Sequence, residues 1–181
     1  MSDEEYDYDY GSDAEYNYGS ENGDENGDGD DELIEIENAY YEGDDLKLSK
    51  PNEALKMFEK VVELETNRGD EVKWRFKALQ NLVTIYFSLG QNDKMIERYR
   101  TMLIYMSKVT RNECTDAINI ILDTLQSADL SNGLDLSEMY KITLEALKKS
   151  NNERLWFTTN LKLAKIYLDL KNISELEDLI I

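Results

Sequence analysis

Histidine is missing altogether from the 181 residues, and cysteine and proline occur once each. Without histidine the chain lacks the commonest metal ligand and the side chain that most readily moves a proton near neutral pH. No HExxH helix, Ser-His-Asp set or Cys-His pair can be assembled from it. The lone Cys114 excludes an internal disulfide framework. Neither a GxxxxGK[ST] loop nor a GxGxxG turn is present, so the usual backbone cradles for nucleotides are lacking. No apolar run approaches the ~20 residues of a membrane-spanning helix, and the N-terminus carries no signal-peptide pattern. A reducing compartment, cytoplasm and nucleus, is the expectation, with no membrane partner, no metal and no catalytic residue.

Positive charge is scarce as well: 20 Lys and Arg stand against 39 Asp and Glu, a net of -19. The imbalance is concentrated at one end. Residues 1–32 hold 14 acids and no base, which leaves -19 + 14 = -5 for the remainder. That first stretch is a low-complexity mixture of Asp, Glu, Gly, Ser, Asn and Tyr with almost no aliphatic side chain, and it reads as a disordered acidic tail. Five tyrosines at positions 6, 8, 10, 16 and 18 stand among the acids, either as modification sites or as part of a solvated tail. Residues 33–181 are long enough for a core of their own and form the second region.

Helical periodicity organises that region. From Val72 to Met106 two amphipathic stretches flank a turn at Leu89-Gly90-Gln91-Asn92. Phe76, Leu79, Leu82, Val83 and Tyr86 share one face of the first, and Met95, Ile96, Tyr99, Met102, Leu103 and Met106 one face of the second. Gly90 permits the left-handed residue that ends a helix, so the pair closes as an antiparallel hairpin. The pattern then returns. Met95 and Tyr99 match Ala54 and Phe58 at 41 residues back, Leu136 and Tyr140 at 41 forward, and Leu176 and Ile180 a further 40 on. Leu82, Val83, Ile85, Tyr86 and Leu89 match Leu163, Ala164, Ile166, Tyr167 and Leu170, each 81 later. A period near 40 in helix pairs predicts an all-α fold, a right-handed α-solenoid of antiparallel pairs of tetratricopeptide type.

Local signals place the remaining elements. A short helix is expected from Leu33 to about Glu42, with Ile34, Ala39 and Tyr41 on its inner face, then a loop from Gly43 to Lys50. Pro51 opens the next helix, where its missing N–H is no loss, and Arg68-Gly69-Asp70 closes it. Thr110 and Glu113 have capping-box spacing, and Asp135 with Glu138, Ser150 with Glu153 and Ser174 with Glu177 are read as repeats of it. Asn132-Gly133 marks a turn. Cys114 falls on an apolar stripe with Ala117, Ile118, Ile121, Leu122 and Leu125, a core position rather than a reactive thiol. Trp74 and Trp156, each near the start of a first helix, are read as packing residues. Paired carboxylates such as Asp44-Asp45 lack an apolar pocket or further ligands, so neither a hydrolase dyad nor a calcium loop is expected.

The helical region has a local excess of cations. Between Arg68 and Arg111 nine bases face four acids, a net of +5. Lys73 and Lys77 are one turn apart, as are Lys94 and Arg98. Such a cluster suits a polyphosphate or an acidic protein surface, and equally an ordinary solvated face. It is also a conceivable nucleic-acid footprint, which the acidic tail disfavours.

Three runs carry a family resemblance: ENAYYEGDDLKLSKPNEALKMFEKVVELE, KALQNLVTIYFSLGQNDKMIERYRTMLIYMSKVTRN and YKITLEALKKSNNERLWFTTNLKLAKIYLDL. The most specific pieces are Val109 to Asn112, Thr143 to Lys148 and Glu153 to Thr158. Together they resemble the N-terminal helical repeats of the subunit 2 family of the COP9 (constitutive-photomorphogenesis-9) signalosome. A proteasome-lid scaffold subunit of the same architecture is the close alternative. The resemblance implies a non-catalytic scaffold, associated with the other signalosome subunits, in a complex that removes NEDD8 from cullins, with the metalloprotease centre on another subunit. It implies a cullin-RING ubiquitin ligase as partner and inositol hexakisphosphate as a bridging ligand, although no obligate cofactor. It singles out Lys77 and Arg98 as basic positions of the family, with Lys73, Arg68 and Arg111 assisting. Family members continue to a PCI winged-helix domain, before which this chain is expected to be truncated.

Overall fold

A computed structural model describes residues 27–69, 71–128 and 135–180. Eight helices follow one another in it: α1 Gly27–Leu46, α2 Pro51–Arg68, α3 Lys73–Ser88, α4 Asn92–Ile104, α5 Arg111–Ser127, α6 Leu136–Lys149, α7 Glu153–Asp169 and α8 Ile173–Ile180. A 3-10 turn at Met106–Lys108 links α4 to α5. Except for α4 and α5, helices adjacent in sequence pack against each other, and α3 with α5 and α4 with α6 join one pair to the next. This is the α-solenoid that the repeat implies.

The period is built into the core. Phe58, Tyr99 and Tyr140, spaced 41 apart, are each fully buried and mark the inner face of α2, α4 and α6. Tyr86 and Tyr167 occupy equivalent buried places on α3 and α7. Where a tyrosine replaces a phenylalanine its hydroxyl needs a partner. Tyr99 finds Thr143 of α6 at 2.6 Å, and Thr143 in turn donates to the Met139 carbonyl at 2.7 Å. Burial pushes the Tyr140 phenol up to about 12, with the Asp123 charge adding to the effect. Cys114 lies in the core as expected, and burial raises its thiol to about 11, which leaves it a poor nucleophile.

Three of the turns share one design. Gly90, Asn151 and Lys171 take φ of 68°, 53° and 56°, the left-handed conformation that ends a helix. The next residue then donates back across the last turn: Gln91 to the Tyr86 carbonyl at 2.9 Å, Asn152 to Leu147 at 3.3 Å and Asn172 to Tyr167 at 2.9 Å. That geometry corrects two of the expected caps. Ser150 closes α6, its N–H bonded to the Ala146 carbonyl, and the side chain that caps α7 is Asn152, which accepts from the Leu155 amide at 3.4 Å. Ser174 lies inside α8, which begins at Ile173. In both turns the left-handed residue fixes where the next helix starts, and a Ser-x-x-Glu spacing carries no information about that. The Thr110–Glu113 box is intact. Asp135 caps α6 from one side only, accepting from Ser137 and Glu138. Asp70 and the Asn132-Gly133 turn lie outside the described residues, as do residues 1–26 with the five tyrosines of the tail.

Helix α1 is longer than the apolar pattern suggests, at both ends. It begins at Gly27, within the stretch read as tail. It also runs through Gly43 to Leu46. A Cβ at Gly43 would lie 3.1 Å from the Phe58 ring and 3.2 Å from the Met57 Cβ. The glycine is therefore a close-approach residue between α1 and α2, not the start of a loop.

Candidate anion-binding site

The loop between α2 and α3 is held by a buried ion pair. Val72, the residue at the cap position of α3, offers no side-chain acceptor to the first amides of that helix. Glu65, one turn before the end of α2 and fully buried, does so instead: Oε1 accepts from Trp74 N at 3.0 Å and Oε2 from Arg75 N at 2.5 Å. A carboxylate at a helix N-terminus completes orphaned amides and meets the positive end of the helix dipole. The Arg75 guanidinium folds back over the same loop. It donates to the carbonyls of Gly69 at 2.8 Å and Glu71 at 2.5 Å, and stacks on Tyr105 at 4.5 Å from the ring centre. Its Nε is 3.9 Å from Glu65 Oε2. Arg75, one of the nine bases of the cationic stretch, is thus 4% exposed and structural.

The knot presents the start of α3, and with it a lysine pair, Lys73 exposed and Lys77 half-buried. Lys73 Nζ lies 4.7 Å and Lys77 Nζ 5.3 Å from the centre of the Trp74 ring. Trp74 is itself buried, 5.0 Å from Tyr40 and 5.7 Å from the exposed Tyr41, so it packs as expected while forming the floor under both ammonium groups. Beside it a cleft of about 530 Å³ opens among Leu33, Glu37, Lys73, Lys108 and Thr110. Arg111, exposed, starts α5 at its edge. Arg68 lies 3.7 Å from Glu71.

Arg98 is elsewhere. Its Nε meets Glu59 of α2 at 2.8 Å, and Glu59 also accepts from the Tyr86 hydroxyl at 3.1 Å. Lys94 Nζ lies 5.5 Å from the Tyr86 ring. Tyr86 follows Lys77 by nine residues, which at 100° per residue is half a rotation of α3. Lys73 and Lys77 therefore share one side of the hairpin, with Lys108 and Arg111 near, while Arg98 and Lys94 occupy the other. Arg100, from the same cationic stretch, reaches toward α6 and Glu138 at 3.7 Å. Sequence reasoning put these cations in one class because helix spacing was applied within each helix and not across the pair. The sequence reading also places Ile34 and Tyr41 on the inner face of α1 with Ala39, whereas both are more than half exposed and only Ala39 is buried. It does not single out Glu65, for which the sequence carries no signal.

Chemically the lysine face can do one thing well, which is to hold negative charge against an aromatic floor. Among the described residues no group of three or more acidic or cysteine side chains could hold a metal ion, and no helix is long and apolar enough to cross a membrane.

No family model matches the chain. Individual relatives do. It is 42% identical over 171 residues to COP9 signalosome complex subunit 2 of Caenorhabditis elegans, covering 93% of this chain and 33% of that protein. Against the Drosophila melanogaster protein of the same name the identity is 40% over 148 residues, 81% of this chain and 32% of the relative. The Emericella nidulans protein is 38% identical over 178 residues, 97% and 32% respectively. The chain spans about a third of the length of these curated relatives. Over that third, and as a helical solenoid, this chain resembles COP9 signalosome subunit 2.

Proposed function

We propose that the chain acts as a non-catalytic scaffold region of a COP9 signalosome subunit 2, engaging cullin-RING ubiquitin ligases for cullin deneddylation in cytoplasm and nucleus. Identity of 38–42% to relatives named as that subunit is the observation that carries the reading. The absence of histidine agrees with a scaffold whose chemistry resides on another subunit. The relatives' name also ranks this reading above a proteasome-lid scaffold.

Within it, the Lys73–Lys77 face is the site for inositol hexakisphosphate or an acidic cullin-RING surface, with Arg68 and Arg111 assisting. Two ammonium groups one turn apart over Trp74 favour a multiply charged ligand, whereas Arg98 already neutralises Glu59 and becomes the weaker contact. Calorimetric titration with inositol hexakisphosphate and with a purified cullin-RING ligase tests this. Lys77→Glu should weaken binding by tenfold or more, roughly the 1.4 kcal/mol of one lost charge-assisted contact, and Arg98→Glu less. Binding should also fall steeply with added salt. Equal affinity in wild type and Lys77→Glu would remove the site. Co-purification of the chain with signalosome subunits from cells tests the assembly role separately, and tight retention of RNA near physiological salt would favour the nucleic-acid alternative instead.

A further inference from the structure

The cleft beside Lys73 contains carboxylates, and most of them are already engaged. Glu65 is buried against Arg75 and the amides of α3. Glu71 lies 3.7 Å from Arg68. Glu113 is held by the Thr110 hydroxyl at 2.7 Å and the Thr110 amide at 3.0 Å. Only Glu37 has no such partner among the described residues. Lys73 and Lys77 approach no described carboxylate within ion-pair distance, and the Tyr41 ring beside them is 58% exposed. The face thus retains unspent positive charge next to accessible aromatic surface.

The same chain carries the complementary chemistry. Residues 3–18 hold seven acids, five tyrosines and no base. They are also near. Leu33 of α1 lines the cleft six residues after that helix begins, about 9 Å along its axis at 1.5 Å per residue. Residue 18 precedes α1 by nine residues, which reach about 30 Å when extended. A tethered segment so placed has an effective concentration in the millimolar range, enough for weak contacts to fill a site.

We infer that residues 3–18 dock on the Lys73–Lys77–Tyr41 face of their own chain, acids on the lysines and tyrosine rings on the aromatic surface, and compete there with external polyanions. The competition rests on the reading of that face as an anion site; the docking does not. An external ligand gains access by displacing the segment, so its apparent affinity is lowered by the occupied fraction.

The test uses the full chain with photoreactive p-benzoylphenylalanine in place of Tyr8. Intramolecular crosslinks to residues 37–41 and 73–81 are expected at low ionic strength. They should drop severalfold in about 0.5 M NaCl, where the screening length shrinks to a few ångström, and in the Lys73→Glu/Lys77→Glu variant. Crosslinks that map to the Arg98 side, persist unchanged in that variant, or join two different chains in an isotopically mixed sample overturn the docking. A second full-length variant replaces the seven acids of residues 3–15 by Asn and Gln. It should bind inositol hexakisphosphate about five- to tenfold more tightly than wild type. Equal affinity overturns the competition. If neither protein binds the polyphosphate, the anion-site reading and the competition fail together, and the crosslinks still decide the docking.

Discussion

Arg75 and Lys77 lie two residues apart on α3, carry the same charge and meet opposite fates. Arg75 is buried, bonded to two loop carbonyls and stacked on Tyr105. Lys77 is half-buried, rests on the face of Trp74 and keeps its ammonium donors. Two residues on a helix are 200° apart, so one points to the loop beneath α3 and the other to its outer side. The guanidinium suits the inner place because its planar fork can serve several fixed acceptors at once, whereas the compact, well-hydrated ammonium suits the outer one. Counting charge along a sequence measures the sum of these two kinds of cation, and only the second can recruit a ligand.

Breaking the inner member should cost most. Glu65→Ala strips α3 of its cap and leaves Arg75 charged and buried without its anion, so a loss of about 3–5 kcal/mol is expected in urea unfolding. The paired variant Glu65→Gln/Arg75→Met should lose much less, because the penalty comes from the orphaned charge and not from the absence of a bridge. If the two variants are equally unstable, the knot's worth lies in packing alone. Next comes the close approach of α1 to α2, which supports the same aromatic floor from behind: Gly43→Val should cost about 1–3 kcal/mol through overpacking against Phe58. A smaller loss, about 0.5–2 kcal/mol, is expected for Thr110→Ala at the edge of the cleft.

Acid should act through the same cap. The Glu113 carboxyl is held below its ordinary 4.5, first by the Thr110 side chain, then by the Thr110 amide and, to a lesser degree, by the lysines across the cleft. A folded-state value below the unfolded one means that the contribution is complete above about pH 5, and is lost as pH falls from 4.5 through the folded value. Glu113→Gln should flatten that part of the stability profile slightly, the group being exposed. Smallest of all is the outer member of the comparison. Lys73→Glu/Lys77→Glu should unfold within about 0.5 kcal/mol of wild type while losing polyanion binding, and a large fall in its melting temperature would mean that the lysine face is structural after all.

Periodicity and local chemistry by themselves determine much of this protein. The 41-residue step identified Phe58, Tyr99 and Tyr140 as inner-face residues, because a repeat that buries its neighbour's apolar face must repeat its side chains as well. Gly90, Pro51 and the Thr110–Glu113 box were legible because each acts on its own few residues of backbone. Only the tertiary structure decided what depends on a second element. Gly43 reads as a breaker until Phe58 is placed against it. Glu65 reads as one more acid of α2 until the amides of α3 arrive nine and ten residues later. Lys77 and Arg98 read as one cluster until the hairpin sets them on opposite sides, since spacing within a helix fixes rotation about that helix alone and the packing of a second helix chooses which rotation faces solvent.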